Sequence, residues 1–592
     1  MKRHYLIPAV LVLCAAAIPL LGAPAYWINL LNYVGLYSLV AIGLVLLTGV
    51  AGLTSFGQAA FVGLGAYSTA YLSLAYGLSP WVGLAAGLAI TIVSAYVIGL
   101  ITLRMSGHYL PLATIAWGIS LYFVFGNLEF LNKYDGLSGI PPISIFGLEL
   151  KSGRSMYYLI WIIVLAAVIA IHNLLDSRPG RAIRALKGGG TMAEAMGVDT
   201  RQMKVITFVV SAILACISGW LYAHFQRTVN PSPFGLKYGI EYLFMVVIGG
   251  VGHIWGAVLG AAVLTLLKDG LQSVLPRVFG SSGNYEAIVF GALMIVLLQY
   301  APNGIWHYLR KLFPNRADAK VPKTAPALAI DRKPAIGETV LDVKLARKQF
   351  GGLVAVNNVS FDVKAGEIVG LIGPNGAGKS TTFNLVTGVL PLTSGTVTYC
   401  GQSITNLPAR EIARRGIGRT FQHVQLLPGM SVLENVAIGA HLRGDYRPQG
   451  GVMASVLRLN RDEERKLLHE AALQLERVGL RDCMGMEAGS LALGQQRILE
   501  IARALCSDPA LLLLDEPAAG LRYQEKQALA QLLNRLKADG MSILIVEHDM
   551  DFVMNLTDKL VVMEFGTKIA EGRPEAIQAD RAVLEAYLGG VD

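Results

Sequence analysis

The sequence predicts a polytopic α-helical membrane domain fused to an α/β domain built around a phosphate-binding loop. Three observations carry that prediction. Charged residues make up 15% of the 592 residues, against about 25% in ordinary soluble domains, and His4 to Leu103 contain no Asp, Glu, Lys or Arg. The net charge of +9 is confined to one half: residues 1–315 hold 18 basic and 9 acidic side chains, while residues 316–592 hold 32 of each. Within the neutral half, an apolar stretch at Ile368–Ile372 runs into a glycine-rich loop ending in Lys379-Ser380-Thr381. The uneven charge excludes a chain-wide basic surface for nucleic acid. The expected organisation is a membrane domain over residues 1–312, a linker over 313–338 and a soluble domain over 339–592.

A membrane helix needs about 20 mostly apolar residues. Runs of that kind occur near 5–22, 27–49, 59–76, 80–103, 109–127, 157–174, 205–225 and 286–300. The first follows Lys2-Arg3 and precedes Ala23-Pro24-Ala25, which resembles a cleavage site. Its length and the apolar segments that follow make it an uncleaved first helix instead. The tract 241–268 is interrupted by Gly249-Gly250-Val251-Gly252-His253, so two short segments are expected there. Basic residues near span ends mark the cytoplasmic side. Lys2 and Arg3, the loop 176–204 with six Lys or Arg, and Arg310-Lys311 all fall inside when eight crossings are combined with one broken hairpin.

Gly252, Gly256 and Gly260 recur at a spacing of four, and Gly49, Gly52, Gly57, Gly63 and Gly65 crowd another stretch. Close helix packing through small residues explains such glycines. Broken helices also expose polar groups to a solute at mid-membrane, where Thr54, Ser55 and Gln58 stand out. Glu241 and Asp269 read as interfacial anchors. Four prolines among charged and small residues make 313–338 a flexible linker. The five cysteines, Cys14, Cys216, Cys400, Cys483 and Cys506, form no C-x-x-C pair and read as small buried hydrophobes in a reduced compartment.

The loop Gly373-Pro374-Asn375-Gly376-Ala377-Gly378-Lys379-Ser380-Thr381 matches G-x-x-x-x-G-K-[ST] between a strand and a helix. Its glycines let successive N–H groups face phosphate oxygens, and the following helix adds positive potential. Lys379 is expected to reach the β- and γ-phosphates and the Ser380 hydroxyl to ligate Mg²⁺. Leu511–Leu514 followed by Asp515-Glu516 reads as a buried parallel strand ending in two carboxylates. Asp515 is expected to hold Mg²⁺ and Glu516 to polarise the attacking water.

With Leu491-Ala492-Leu493-Gly494-Gln495 between these motifs and His548 after the strand Ser542–Val546, residues 340–592 resemble the ATP-binding-cassette (ABC) ATPases, an α/β P-loop NTPase fold. The resemblance implies that Phe350 stacks on adenine, that Gln422 senses Mg²⁺ and meets the membrane domain, and that His548 contacts the γ-phosphate. It also makes Leu491–Gln495 the signature motif that completes a partner's ATP site through Ala492, Gly494 and Gln495. The usual signature serine is Ala492 and the following glycine is Leu493, so the hydroxyl contact is absent. The aspartate often found after Pro517 is replaced within Ala519-Gly520-Leu521-Arg522. These variants, with Ile569-Ala570-Glu571-Gly572 and Tyr587-Leu588-Gly589, resemble the ATPases of branched-chain amino-acid importers. Gly49–Phe61, Asp135–Pro141 and Gly180–Leu186 resemble the M-type permease of the same class.

The resemblance thus implies two normally separate subunits in one chain, working with ATP and Mg²⁺ in a bacterial inner membrane. It implies a second permease and a second ATPase, or a homodimer of the fusion, and a periplasmic solute-binding protein. Loop 176–204 resembles the coupling segment, which seats beside Gln422. Import of branched-chain amino acids is the leading expectation. Import of urea, short amides or aromatic acids, an exporter, and an ATP-gated regulator are the alternatives.

Overall fold

The computed structural model describes residues 18–20, 22–103, 109–279, 285–301, 303–311, 321–322, 325–329, 333–444 and 448–588. The expected first span at 5–22 and Cys14 fall essentially outside them. The chain divides into two compact units: residues 1–176 with 201–315, and residues 177–200 with 316–592.

In chain order the helices are α1 (Ala25–Leu44), α2 (Gln58–Tyr76), α3 (Pro80–Thr102), α4 (Tyr109–Asn127) and α5 (Gly153–Leu175). Then come α6 (Arg178–Lys187) and α7 (Gly190–Ala195), followed by α8 (Thr200–Gln226), α9 (Leu236–Gly249), α10 (Ile254–Phe279), α11 (Tyr285–Tyr300) and α12 (Ile305–Lys311). Two-residue strands β1 (Leu137–Ser138) and β4 (Thr228–Val229) pair with each other, as do β2 (Ser144–Ile145) and β3 (Leu148–Glu149). Among the described residues six helical segments are long and apolar enough to cross a membrane: Ala25–Val50, Pro80–Thr102, Tyr109–Asn127, Gly153–Leu175, Thr200–Gln226 and Ile254–Val274. The stretch read at 59–76 forms α2, and that at 286–300 forms the 16-residue α11.

The first of the six ends in a π-helical turn, Val45–Val50, and residues 51–57 are not helical before α2 begins. The interrupted tract also differs from expectation. It forms a short helix, α9, of 14 residues and a long one, α10, of 26, rather than two short segments. The break falls at Gly250 and Gly252, both in the left-handed region (φ +118° and +99°). The next glycines do not break α10, because they are contact points. A Cβ at Gly260 would come within 1.8 Å of the Met245 carbonyl, and one at Gly249 within 1.8 Å of the Gly256 carbonyl. Small residues here let α9 and α10 touch backbone to backbone.

The second unit continues with β5 (Thr339–Phe350), β6 (Leu353–Lys364), β7 (Ile368–Ile372), α13 (Lys379–Val386), β8 (Ser394–Tyr399), β9 (Gln402–Ser403), α14 (Ala409–Arg414) and β10 (Ile417–Arg419). After these lie α15 (Val432–Ala437), α16 (Pro448–Val456), α17 (Arg461–Arg477), α18 (Leu493–Leu505), β11 (Leu511–Asp515), α19 (Tyr523–Ala538), β12 (Ser542–Val546), α20 (Met550–Met554), β13 (Lys559–Glu564), β14 (Thr567–Gly572), α21 (Pro574–Gln578) and α22 (Arg581–Leu588). A six-stranded sheet runs β10-β11-β12-β7-β13-β14, parallel except for β14, and an antiparallel sheet runs β6-β5-β8-β9. β7, β11 and β12 are buried along their whole length, as both-face-covered parallel strands must be. One core lies around the antiparallel sheet and one face of the parallel sheet, a second on its other face, and a third among α15, α17 and α18.

The described part of the linker is held in place. Val321 and Leu328 pack against the third core, the Arg443 guanidinium donates to the Ala329 carbonyl at 2.9 Å, and Lys333 pairs with Asp508 at 3.3 Å. Proline content marked the absence of helix and strand among the described linker residues, but not the apolar residues that fasten them down. Cysteine burial also differs from expectation: Cys216 and Cys506 are buried, Cys483 is half-buried, and Cys400 is exposed.

Candidate active site

Register places the chemistry. Asp515 on β11 lies opposite Val546 on β12, and Val546 lies opposite Leu371 on β7. The three strands therefore end level, and everything that follows them gathers at one carboxyl edge, where α/β sheets bind ligands. The phosphate loop follows β7, the Asp515-Glu516 pair closes β11, and Glu547-His548 follows β12.

Gly373 takes φ +147° with the Met563 carbonyl 2.0 Å from where a Cβ would stand, so only glycine fits that turn. Asn375 and Gly376 are exposed at the tip, and Lys379, Ser380 and Thr381 open α13. The Lys379 ammonium donates to the carbonyls of Gly373 at 2.7 Å and Pro374 at 2.9 Å, folding back across its own loop. Burial pulls its pKa below the ordinary value, while Glu516 and Asp515 pull it back up. Burial pushes the Asp515 carboxyl up to about 6. Arg419 opposes that shift and Glu516 adds to it. The buried Asp515 Oδ1 has no hydrogen-bond partner among the described residues.

Glu516 sits at φ +46°, in the left-handed region, with its N–H donating to the Val546 carbonyl at 2.8 Å. The His548 Nδ1 stands 3.9 Å from its carboxylate. Behind them Glu547 is fully buried and accepts from the Ala518 N–H at 2.7 Å and the His548 N–H at 3.2 Å. Burial raises its pKa, against the pull of those two bonds. Gln422 is exposed, and its neighbour His423 lies close enough to Asp515 to act on its charge.

Phe350 is exposed at the end of β5 with the Lys348 ammonium 5.0 Å from its ring centre. Its hairpin partner β6 reaches the phosphate loop, since a Cβ at Gly378 would meet the Ala355 carbonyl at 2.5 Å. The Leu491–Gln495 motif is elsewhere: Leu491 belongs to the third core, whereas Ala377 of the phosphate loop belongs to the first. Ala492 caps α18, its N–H donating to Gln495 Oε1 at 3.3 Å, and Gly494 packs on Glu525. Leu493 is 48% exposed.

A buried polar network that sequence reasoning missed ties α18 to the strand-to-Gln422 segment. Arg497 donates to the Phe421 carbonyl at 3.1 Å, Glu500 accepts from the Gln425 N–H at 2.8 Å, and Arg503 donates to the Gln425 carbonyl at 2.7 Å. Arg419 lies between the Phe383 and Phe421 rings, 4.9 and 4.6 Å from their centres. The only available signal was spacing: 497, 500 and 503 recur at i, i+3, which places them on one helix face.

Residues 177–200 fold onto this unit. Arg178 pairs with Glu463 at 2.9 Å, Arg181 with Glu464, Arg184 with Glu434 at 3.1 Å and Asp199 with Arg410. A Cβ at Gly188 would come within 2.6 Å of the Leu427 side chain, and one at Gly189 would lie 3.5 Å from Gln425 Oε1, three residues past Gln422. α7 rests against α14. Burial works against the charge of Glu434, yet Arg184 and Ser431 hold its pKa below the ordinary value. Arg178 and Arg181 are thus buried and paired, not the solvated basic residues that loop charge alone implies.

Three family models match the chain: branched-chain amino acid transport system / permease component over 26–298, ABC transporter over 356–519, and branched-chain amino acid ATP-binding cassette transporter over 567–592. The chain is 42% identical over 257 residues to the high-affinity branched-chain amino acid transport ATP-binding protein LivG of Salmonella typhimurium, covering 43% of this chain and 99% of that protein. It is 41% identical over 251 residues to the corresponding protein BraF of Pseudomonas aeruginosa, covering 42% of this chain and 98% of that one. The crystal structure of a nucleotide-free ATP-binding cassette from an ABC transporter is similar at 35% identity and TM-score 0.38, covering 43% of this chain and 100% of that chain.

Proposed function

The chain belongs to the branched-chain amino-acid type of ABC transporter, with permease and ATP-binding components joined in one polypeptide, and on that premise we propose that it imports branched-chain amino acids across a bacterial inner membrane. It is an ATPase coupled to transport and works in a complex with other subunits. We assign those subunits as a second permease and a second ATPase, with a periplasmic binding protein presenting the solute. The observation that carries the reading is the docking of residues 177–200, which lie between two helices of the permease half, onto the nucleotide-binding half through four ion pairs.

In this mechanism Lys379 exchanges its two loop carbonyls for phosphate oxygens, and the backbone N–H groups of residues 373–381 cradle the phosphates. Glu516 orients and deprotonates the attacking water, held by its strand-end hydrogen bond, while His548 donates toward the γ-phosphate. Ser380, Gln422 and Asp515 suit a bound Mg²⁺, and the unpartnered buried Asp515 oxygen supports that fit. Such an ion neutralises charge on the phosphates. Ala492, Gly494 and Gln495 face the nucleotide of the second ATPase, and Phe350 stacks on the adenine of its own. Closure of the two ATPases reaches the permease through the segment held at Gln425 and Leu427.

The test is uptake of radiolabelled leucine into vesicles holding the complete complex with its binding protein, comparing the native protein with Glu516→Gln. ATP-dependent accumulation in the native protein and none in the variant is the expected result. Accumulation that persists in Glu516→Gln overturns the catalytic assignment, and outward movement without a binding protein overturns import.

A further inference from the structure

We propose that Ser55 and Gln58, at the interruption between α1 and α2, are the intramembrane contact for the polar end of the transported solute, a small zwitterion. The proposal rests on the import reading above. Gln58 is 0% and Ser55 1% exposed, yet both amide atoms of Gln58 and the Ser55 hydroxyl have no hydrogen-bond partner among the described residues.

Three backbone N–H groups of the same stretch, by contrast, have partners. The Ala51 N–H donates to the Leu46 carbonyl at 3.1 Å, the Leu53 N–H to Leu47 at 2.9 Å and the Phe56 N–H to Thr114 Oγ1 at 3.2 Å. Where no water is available to the chain, an unpaired amide is costly and is retained only for a partner. A π-helical turn directly precedes the break, a feature concentrated at functional sites.

The nearby charged pair is already complete. Glu241, expected at an interface, is buried on α9, and both of its oxygens accept from Lys268 at 3.0 Å. It lies two residues from Gly239, where a Cβ would come within 2.2 Å of the Phe56 carbonyl. At this break, among the described residues, the unpartnered side-chain atoms are those of Ser55 and Gln58. A side-chain amide offers two donors and an acceptor without net charge. It can donate to a carboxylate and accept from an ammonium, which suits a solute carrying both. At the start of α2, a small hollow is lined by Gly57, Ala60 and Phe61 with Thr114 and Phe208, neighbours in sequence of Ser55 and Gln58 among them.

Gln58→Met keeps the volume and removes both orphan atoms. In vesicles holding the complete complex and its binding protein, with leucine as the probe, its uptake KM should rise at least tenfold. Its thermal midpoint should equal or exceed that of the native protein, because an unsatisfied group is gone. Ser55→Ala should raise the KM about threefold. Uptake by Gln58→Met within twofold of native means that a buried water alone satisfies the amide, and it overturns the proposal. A midpoint that falls together with uptake assigns Gln58 a structural role and overturns it equally. Native complex that hydrolyses ATP yet takes up no leucine overturns the import reading itself, and native uptake with unaltered variants overturns this site alone.

Discussion

Glu516 holds its carboxylate over the phosphate loop by a backbone angle that non-glycine residues seldom adopt, and the bond from its N–H to Val546 keeps it there. Glu516→Gln preserves that bond and removes the base. Phosphate release should fall by roughly 10²-fold or more, with nucleotide binding retained in a filter assay. The Arg503–Glu500 pair makes a different kind of prediction, since both side chains are buried and 3.3 Å apart. Arg503→Met leaves the buried Glu500 carboxylate with the Gln425 N–H and with Arg497 at 3.9 Å, and should cost about 1.5–3 kcal/mol in urea unfolding of the second unit. Adding Glu500→Leu should return much of that loss. The phosphate-loop lysine and the strand-end carboxylates were legible because local spacing dictates their geometry. Arg419, Arg497, Glu500 and Arg503 were not, because a charged residue reads as surface until its partners are known.

At the scale of elements, the segment with α6 and α7 is the informative one. Its six basic residues fit the inside rule, but Glu434, Glu463 and Glu464 lie more than 230 residues away and nothing local pairs them. Arg181→Met leaves Glu464 uncompensated in the docked face. Solute moved per ATP hydrolysed should drop several-fold while hydrolysis continues, measured as paired uptake and phosphate release. His441 lies beside the same contacts, and burial, then Arg178 and Arg181, push its pKa down from 6.5 to about 3. The unfolded chain takes up that proton near pH 6.5 and the folded chain only near pH 3. Stability is therefore complete above pH 6.5 and declines as pH falls toward 3, by up to about 1.4 kcal/mol per unit. His441→Gln should flatten that acid limb in pH-dependent denaturation. The glycine-interrupted tract shows the opposite limit of legibility: the break was visible in sequence, but whether a glycine breaks a helix or seats it against a neighbour depends on what approaches it.

For the whole molecule, each chain carries one set of phosphate-loop residues and one signature, held on separate cores. Glu516→Gln with ATP should therefore assemble into a complex containing at least two nucleotide-binding domains, read by native mass. Fold class and the division of charge were visible from composition, and the displacement of residues 177–200 from the permease half onto the second unit was expected through the family resemblance, whereas the ion pairs that hold the segment there were not, since their partners lie far along the chain. That displacement has a consequence for how the molecule is made. Arg181 leaves the ribosome 283 residues before its partner Glu464. At about 5–20 residues per second, it waits roughly 15–60 s for that partner. Throughout that interval the segment is an uncommitted tether between two nascent helices, so insertion into the membrane is finished before the engine that will move those helices has been synthesised.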